Sequence, residues 1–433
     1  MTLLPLAALA AALAAPVPAS NPPATDWPTW RGADRTGVSR EKVAPGEWPA
    51  DGPKLLWQKT ALADIGTGYG SPAVGGGRVY LMGADGAKQT ATEFVTCLDA
   101  DGKQVWQTKL ETTAGKFLDQ WGGGPRCTPT VDGDLVYVLG ATGDLVALDA
   151  EKGAVKWKKN LVKDFNGGIP QWGYSESVTV DGDQVVVTPG GKGGMVALNK
   201  TTGETVWQCT DLADPAGYSS VVVADVGGVK QYVTQTMKSG VGVRAKDGKL
   251  LWQVGEIGRR TAVIPTPVVD ADGYVFFTAG YGAGCECYKL TKDGDGTKAE
   301  KVYTKNAVVA NHHGGVVKVG DRVYGHSDAS GGGWVCFDYR KGPDEPEWKN
   351  RGVGKGSVTA VGDTLLCYAE SNGKLAAVKA DPKEYRELAS FTLPATSKIR
   401  PNQGKVWAHP VVSGGKLFLR DYELLYVFDV GTK

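Results

Sequence analysis

Along most of this chain, hydrophobic and polar positions alternate in runs of four to six residues, and pairs containing glycine separate the runs. The clearest stretch is Thr128–Leu161, TPTVDGDLVYVLGATGDLVALDAEKGAVKWKKNL. It predicts a strand, an Asp-Gly turn, a strand, a Thr-Gly turn, a strand, a Lys-Gly turn and a last strand. A period of two is the mark of a strand with one buried face. Glycine at each turn supplies the positive φ that tight hairpins require. The same template restarts at Ser71, Ser177, Ser220, Thr266, Gly315, Ser357 and His409. With Thr128 that makes eight starts, a repeat of roughly 45–50 residues, the range of stacked supersecondary units.

The ends of the repeats agree as well as their starts. Trp57, Trp106, Trp157, Trp207, Trp252 and Trp348 recur in the last strand, and Tyr303 fills one slot. A large ring at each blade edge is expected to bury its apolar area against the neighbouring sheet. Trp57 precedes the first full repeat, whereas the final repeat stops at Asp429-Val430, one strand short. Leu55 to Thr60 is therefore expected to supply the missing strand, because closure of the ring leaves no open sheet edge at the seam. The fold class that follows is all-β, an eight-bladed β-propeller of four-stranded blades closed by an N-terminal strand.

Residues 1–19 (cleavage after Ala19) read as a signal peptide, from the apolar run Leu3–Ala15, which is too short to span a bilayer. Residues 20–54 form a Trp- and Pro-rich arm, expected to pack across one face of the ring. Residues 55–433 form the propeller. No cysteine follows the leader before Cys97, so no lipid or other stable membrane anchor is expected, and the address is the periplasm or the exterior. Lys plus Arg number 48 against 47 Asp plus Glu, which leaves no electrostatic footprint for nucleic acid. Seven cysteines occur without CxxC or zinc spacing. Cys97, Cys287 and Cys336 stand where blade two has Ala147, which marks a small buried position rather than redox chemistry. Asp293-Gly294-Asp295-Gly296 brings its glycine too early for a calcium loop and reads as a hairpin turn. Gly190–Gly194 precedes a strand, not the helix a phosphate loop needs.

The pattern SPxVxxGxVYxxxxxGxLxALDxxTGxxxWxxxL, best displayed in Thr128–Leu161 and Ser177–Leu212, resembles the pyrroloquinoline-quinone (PQQ)-like propeller repeat of quinoprotein dehydrogenases. The opening segment, Asp26-Trp27-Pro28-Thr29-Trp30-Arg31-Gly32, is similar to the arm of exported propellers abundant in planctomycete bacteria. Proteins with this repeat range from alcohol and glucose dehydrogenases to a non-catalytic scaffold in outer-membrane barrel assembly, so the resemblance implies a fold and leaves the function open.

Residues entering the first strand of each blade converge on the channel axis. Two places before each start stand Tyr69, Arg126, Ser175, Tyr218, Ile264, His313, Lys355 and Trp407. One place later stand Gly70, Cys127, Glu176, Ser219, Pro265, Gly314, Gly356 and Ala408. A polar and aromatic ring above a ring of small residues predicts a narrowing funnel. Its candidate binding residues are Trp172, Glu176, Arg126 and Trp407, with Tyr69, Tyr218, His313 and Lys355 on the rim. Tyr174 is expected nearby. Adjacent His312 and His313 would point to opposite sides of a strand, so one of them is expected to serve and no metal site is assigned.

Two functions stay open. One is a binding or scaffold module whose partner is an extracytoplasmic protein, a peptide or a glycan. The other, implied by the resemblance, is a PQQ-dependent dehydrogenase oxidising alcohols or sugars. There the cofactor lies between a tryptophan and a disulfide-bonded cysteine pair, beside a calcium ion held by acidic and amide groups. Trp172 or Trp407 would be the stacking floor and Glu176 a calcium ligand. The adjacent cysteine pair and a second rim carboxylate are missing from the sequence, so no catalytic residue is assigned and the binding reading is preferred.

Overall fold

The computed structural model describes residues 23, 25–41, 46, 48–49, 51–255, 262–305 and 308–431. The expected signal peptide lies outside them. Eight antiparallel four-stranded blades follow one another along the chain; seven keep their strands in sequence order, and the arm adds a parallel fifth strand to blade 7. Blade 2 is typical: Thr130–Asp132, Leu135–Leu139, Asp144–Asp149 and Val155–Asn160. Blade 8 takes Val411–Ser413, Lys416–Asp421 and Leu424–Asp429 from the C-terminal end. Leu55–Lys59 is its outer strand, with Trp57 opposite Val427. The ring is closed by the two ends of the described chain, as the alternation predicts. Among the described residues, the one α-helix is Leu62–Ile65, and no helix is long and apolar enough to cross a membrane.

The recurring tryptophans lock neighbouring blades. Trp106 Nε1 donates to Ala150 O in blade 2 (3.1 Å), Trp157 to Lys200 O in blade 3 (2.9 Å) and Trp207 to Ala245 O in blade 4 (2.9 Å). The indole lies on the glycine of the neighbour's last turn. A Cβ at Gly153, whose φ is +71°, would stand 2.5 Å from the Trp106 ring. That turn therefore needs glycine for its backbone and for its surface. Within each blade the ring faces a small residue on the third strand: Cys97 opposite Trp106, Ala147 opposite Trp157, Cys287 opposite Tyr303 and Cys336 opposite Trp348. All seven cysteines are buried, and no disulfide joins them. Trp252 departs from the pattern and donates to Gln231 Oε1 in its own blade (2.8 Å).

The serines and threonines that open the repeats join blades near the axis. Thr128 N donates to Ser177 Oγ (2.9 Å), Ser177 N to Ser220 Oγ (2.9 Å) and His409 N to Ser71 Oγ (2.8 Å). The closing seam has its own clamp. Arg420, fully buried in blade 8, donates to Gly70 O (2.8 Å) and Met82 O (2.9 Å) of blade 1.

The arm does not lie across one face. It enters the channel and bonds to the innermost strand region of every blade. Trp27 pairs with Val74 of blade 1 through N–H and C=O (2.9 and 2.8 Å), and Pro28 O accepts from Val131 N of blade 2 (2.8 Å). Arg35 reaches Ser177 O (2.7 Å) and Val178 O (3.1 Å) of blade 3 and Val221 O of blade 4 (2.9 Å). Trp30 Nε1 donates to Thr266 Oγ1 of blade 5 (2.9 Å), and Arg31 Nη2 to Val316 O of blade 6 (2.5 Å). Val38–Ser39 runs parallel to Gly356–Val361 of blade 7, and Thr25 O accepts from Ser413 Oγ of blade 8 (2.5 Å). The cause is unmet backbone hydrogen bonding. An innermost strand presents one open edge to the channel, and buried carbonyls require donors. A guanidinium offers five N–H groups in a fixed fork and can serve several carbonyls at once.

Candidate functional site

The channel mouth holds a cavity of about 300 Å³ whose floor includes Trp30 of the arm. Its wall carries all eight residues of the first predicted ring: Tyr69, Arg126, Ser175 and Tyr218 on one half, and Ile264, His313, Lys355 and Trp407 on the other. Trp172 lines it as well. They converge because each stands at the same offset before an innermost strand, and the ring symmetry turns one sequence offset into one height on the axis.

Glu176 departs from the expected site. It is buried beneath the cavity with its carboxylate turned into its own blade, where Oε2 accepts from Thr188 N (2.9 Å). Tyr174 is likewise buried and donates to Pro189 O (2.8 Å). Burial pushes the Glu176 carboxyl up to about 8, against the opposing pull of the Thr188 N–H and Arg35. In the unfolded chain a glutamate ionises near about 4.3. Below that pH both states hold the proton. Between about 4.3 and about 8 the unfolded chain releases it while the folded one keeps it, so stability falls as pH rises. Glu176→Gln keeps an acceptor for Thr188 and removes that loss. Its thermal midpoint should gain on the parent protein at pH 8 relative to pH 5, and an equal difference at both pH values would refute the buried-acid assignment.

Both histidines face the cavity, although one was expected to turn away. Their rings are 3.6 Å apart, His313 stacks on Trp407 (4.4 Å, 22°), and His312 meets Tyr281 edge-on (4.4 Å). Their peptides lie in the turn before the blade 6 strand Val316–Val319, not on an extended strand, so the alternation argument does not apply. Burial lowers His312 to about 4 and His313 well below its ordinary value, and both rings are neutral at pH 7. Lys355 Nζ bridges His312 Nδ1 (3.0 Å) and Asp328 Oδ2 (2.7 Å). Arg126 sits over Tyr69 (5.6 Å) and donates to Gly122 O (3.0 Å) and Gly124 O (3.2 Å).

Sequence reasoning missed Trp121, Trp30, Glu370 and Lys405, which also line the cavity. Trp121-Gly122 sits upstream of the blade 2 entry much as Trp172-Gly173 does before blade 3, and that parallel was a usable signal. Trp121 meets Trp172 edge-on (5.7 Å, 82°), and Trp172 leans on Tyr218 (5.9 Å, 50°). Tyr69 tilts against Trp407 (4.8 Å, 48°), and its hydroxyl donates to Trp121 O. The result is an aromatic wall interrupted by cations.

Of the residues expected to hold a calcium-bound quinone, Trp172, Trp407 and Arg126 line this wall. Glu176 faces away, Glu370 is the carboxylate on the lining, and the described residues hold no group of three or more His, Cys, Asp or Glu placed to bind a metal.

Fold and repeat together define a PQQ-like β-propeller with a closed-bottomed cavity on its axis. Residues 91–350 match the profile of the family described as outer membrane protein assembly factor BamB, and the chain belongs to that family. It is 31% identical over 206 residues to BamB of Burkholderia pseudomallei (strain K96243), covering 46% of this chain and 47% of that protein. Against BamB of Yersinia pestis the identity is 28% over 246 residues, 52% of this chain and 56% of that one. The chain thus spans about half the length of the curated relatives it matches. Among solved structures, BamB from Moraxella catarrhalis superposes with a TM-score of 0.57 at 16% identity, covering 87% of this chain and 97% of that chain. A quinohemoprotein alcohol dehydrogenase from Comamonas testosteroni gives 0.51 at 14%, covering 94% and 81%. Both likenesses speak for the fold.

Proposed function

We propose that this chain is an exported binding propeller that acts as a scaffold in the cell envelope, with its ligand or partner held at the channel mouth. Membership of the BamB family supports a scaffold role. The observation that carries the reading is the cavity itself, where eight blades and the arm direct aromatic and cationic side chains to one point that the arm closes from below. Concave, largely apolar sites with a few convergent polar groups are where proteins bind small ligands and chain ends. The partner class is an extracytoplasmic protein, a peptide or a glycan.

A photo-crosslinking side chain at Lys405 on the rim, compared with one at the exposed Lys103 on a blade's outer edge, tests the reading in envelope preparations. The rim position should give a discrete product that is lost when Trp172→Ala is added. Identical products from both positions would place recognition elsewhere.

Trp172 and Arg126 on the wall favour a second reading, binding of PQQ in an oxidoreductase. Ligand at 100 times its dissociation constant adds about 2.7 kcal/mol. A thermal shift with PQQ and calcium that disappears in Trp172→Ala would carry that reading.

A further inference from the structure

We infer that the cavity takes an acidic saccharide, one whose pyranose ring bears a carboxylate or a sulfate. This rests on the reading of the channel mouth as a binding site and names its ligand class.

The shape of the wall argues for a puckered ring. A flat aromatic ligand needs two parallel faces with a gap between them. Here the wall rings are inclined, Trp121 to Trp172 by 82°, Trp172 to Tyr218 by 50° and Tyr69 to Trp407 by 48°. The near-parallel pair, His313 and Trp407 at 22°, is in contact with itself and leaves no slot. Inclined faces make a bowl. A sugar ring presents C–H groups on its faces, which rest on the negative π-face of an aromatic ring, and hydroxyls round its edge.

The polar groups argue for an acceptor-rich, negative ligand. Lys355 Nζ donates to His312 Nδ1 (3.0 Å), so the neutral ring carries its proton on Nε2, and that buried nitrogen has no partner. Trp172 Nε1 is also buried without one. Two N–H donors thus stand on the wall with nothing to meet. Arg126 bonds only to carbonyls, and neither it nor Lys405 has a carboxylate partner among the described residues. Against these donors and cations stands one lining carboxylate, Glu370, whose proton affinity burial raises. A peptide suits the site less well. The floor is closed by Trp30, and the arm already occupies backbone groups of the innermost strands at Val74, Val131 and Gly356–Val361 that an extended chain would join. A volume of about 300 Å³ has room for a short saccharide end.

Intrinsic tryptophan fluorescence of the full chain reads binding directly, since Trp30, Trp121, Trp172 and Trp407 line the cavity. The probes are a glucuronate-terminated disaccharide, a sulfated disaccharide, their neutral counterpart, naphthoate and a short peptide ending in phenylalanine. At least one acidic disaccharide should saturate, with the neutral sugar at least tenfold weaker. Trp172→Ala should weaken the acidic sugar at least tenfold. Lys405→Gln, which removes a rim charge at nearly constant size, should narrow the gap between acidic and neutral sugars. Equal binding of both sugars, tighter binding of naphthoate or peptide, or no response to any saccharide overturns the inference. Naphthoate or peptide binding, or a rim-specific crosslink, would leave the binding reading standing. Loss of the rim crosslink together with silence from every probe would remove both.

Discussion

Removal of residues 50–62 is expected to abolish cooperative unfolding. Leu55–Lys59 is the outer strand of blade 8, and its partner Leu424–Asp429 would be left with an open edge. The deletion also removes Trp57, whose ring packs against Phe418 (6.3 Å) and whose Nε1 donates to Ala100 O of blade 1 (3.0 Å). The seam then loses its strand pairing and its interblade indole together. Arg420 alone cannot restore it, because it ties the axis end of the seam and not the rim. A calorimetric scan should show a broad, weak transition in place of a single sharp one. A sharp transition within a few degrees of the parent protein would refute closure by this strand.

Arg35→Ala should be the most damaging single substitution in the arm. The guanidinium is buried and serves Ser177 O, Val178 O and Val221 O, with Thr29 Oγ1 as a fourth partner (2.8 Å). Burial lowers its pKa to about 10, so it is still charged at pH 7. Its loss strands Ser177 O and takes one of two side-chain donors from Val178 O and Val221 O, which keep Thr130 Oγ1 (2.6 Å) and Thr179 Oγ1 (2.9 Å), for a total on the order of 2–4 kcal/mol after relaxation and water entry. For a chain of this length that corresponds to roughly 2–4 °C in the thermal midpoint. Arg35→Lys should fall between, since one ammonium cannot span three carbonyls. Arg40→Ala is the control. Its ion pair with Asp34 is exposed and should cost less than about 1 kcal/mol. Equal midpoints for Arg35→Ala and Arg40→Ala would show that the arm is an ornament on the ring and not its axle.

The ring of eight rim residues was legible because repeat register is a local property. Once the starts at Ser71 through His409 are aligned, position two before each start is fixed, and the fold carries all eight to one height. Glu176 failed for a different reason. It stands one place further along, and whether a side chain there turns to the axis or into the blade depends on which partner is nearer. Thr188 N offers a bond on the blade side. The histidine pair failed because strand alternation was applied to residues that lie in a turn. Trp121 and Lys405 sit in connections between blades, whose paths no periodicity describes.

The alternation of apolar and polar positions, the glycine turns and the recurring tryptophan determined the blades, their number and the strand that closes them. Each of these is set by neighbours a few residues apart, so the chain states them directly. The tertiary structure alone decided the path of the arm. Trp27, Trp30, Arg31 and Arg35 carry no signal of what they touch, because their partners are backbone groups and hydroxyls in five blades, up to 285 residues away. Backbone carbonyls look the same in every residue. Which of them are left without donors, and so where a guanidinium must go, is known only when the ring has closed.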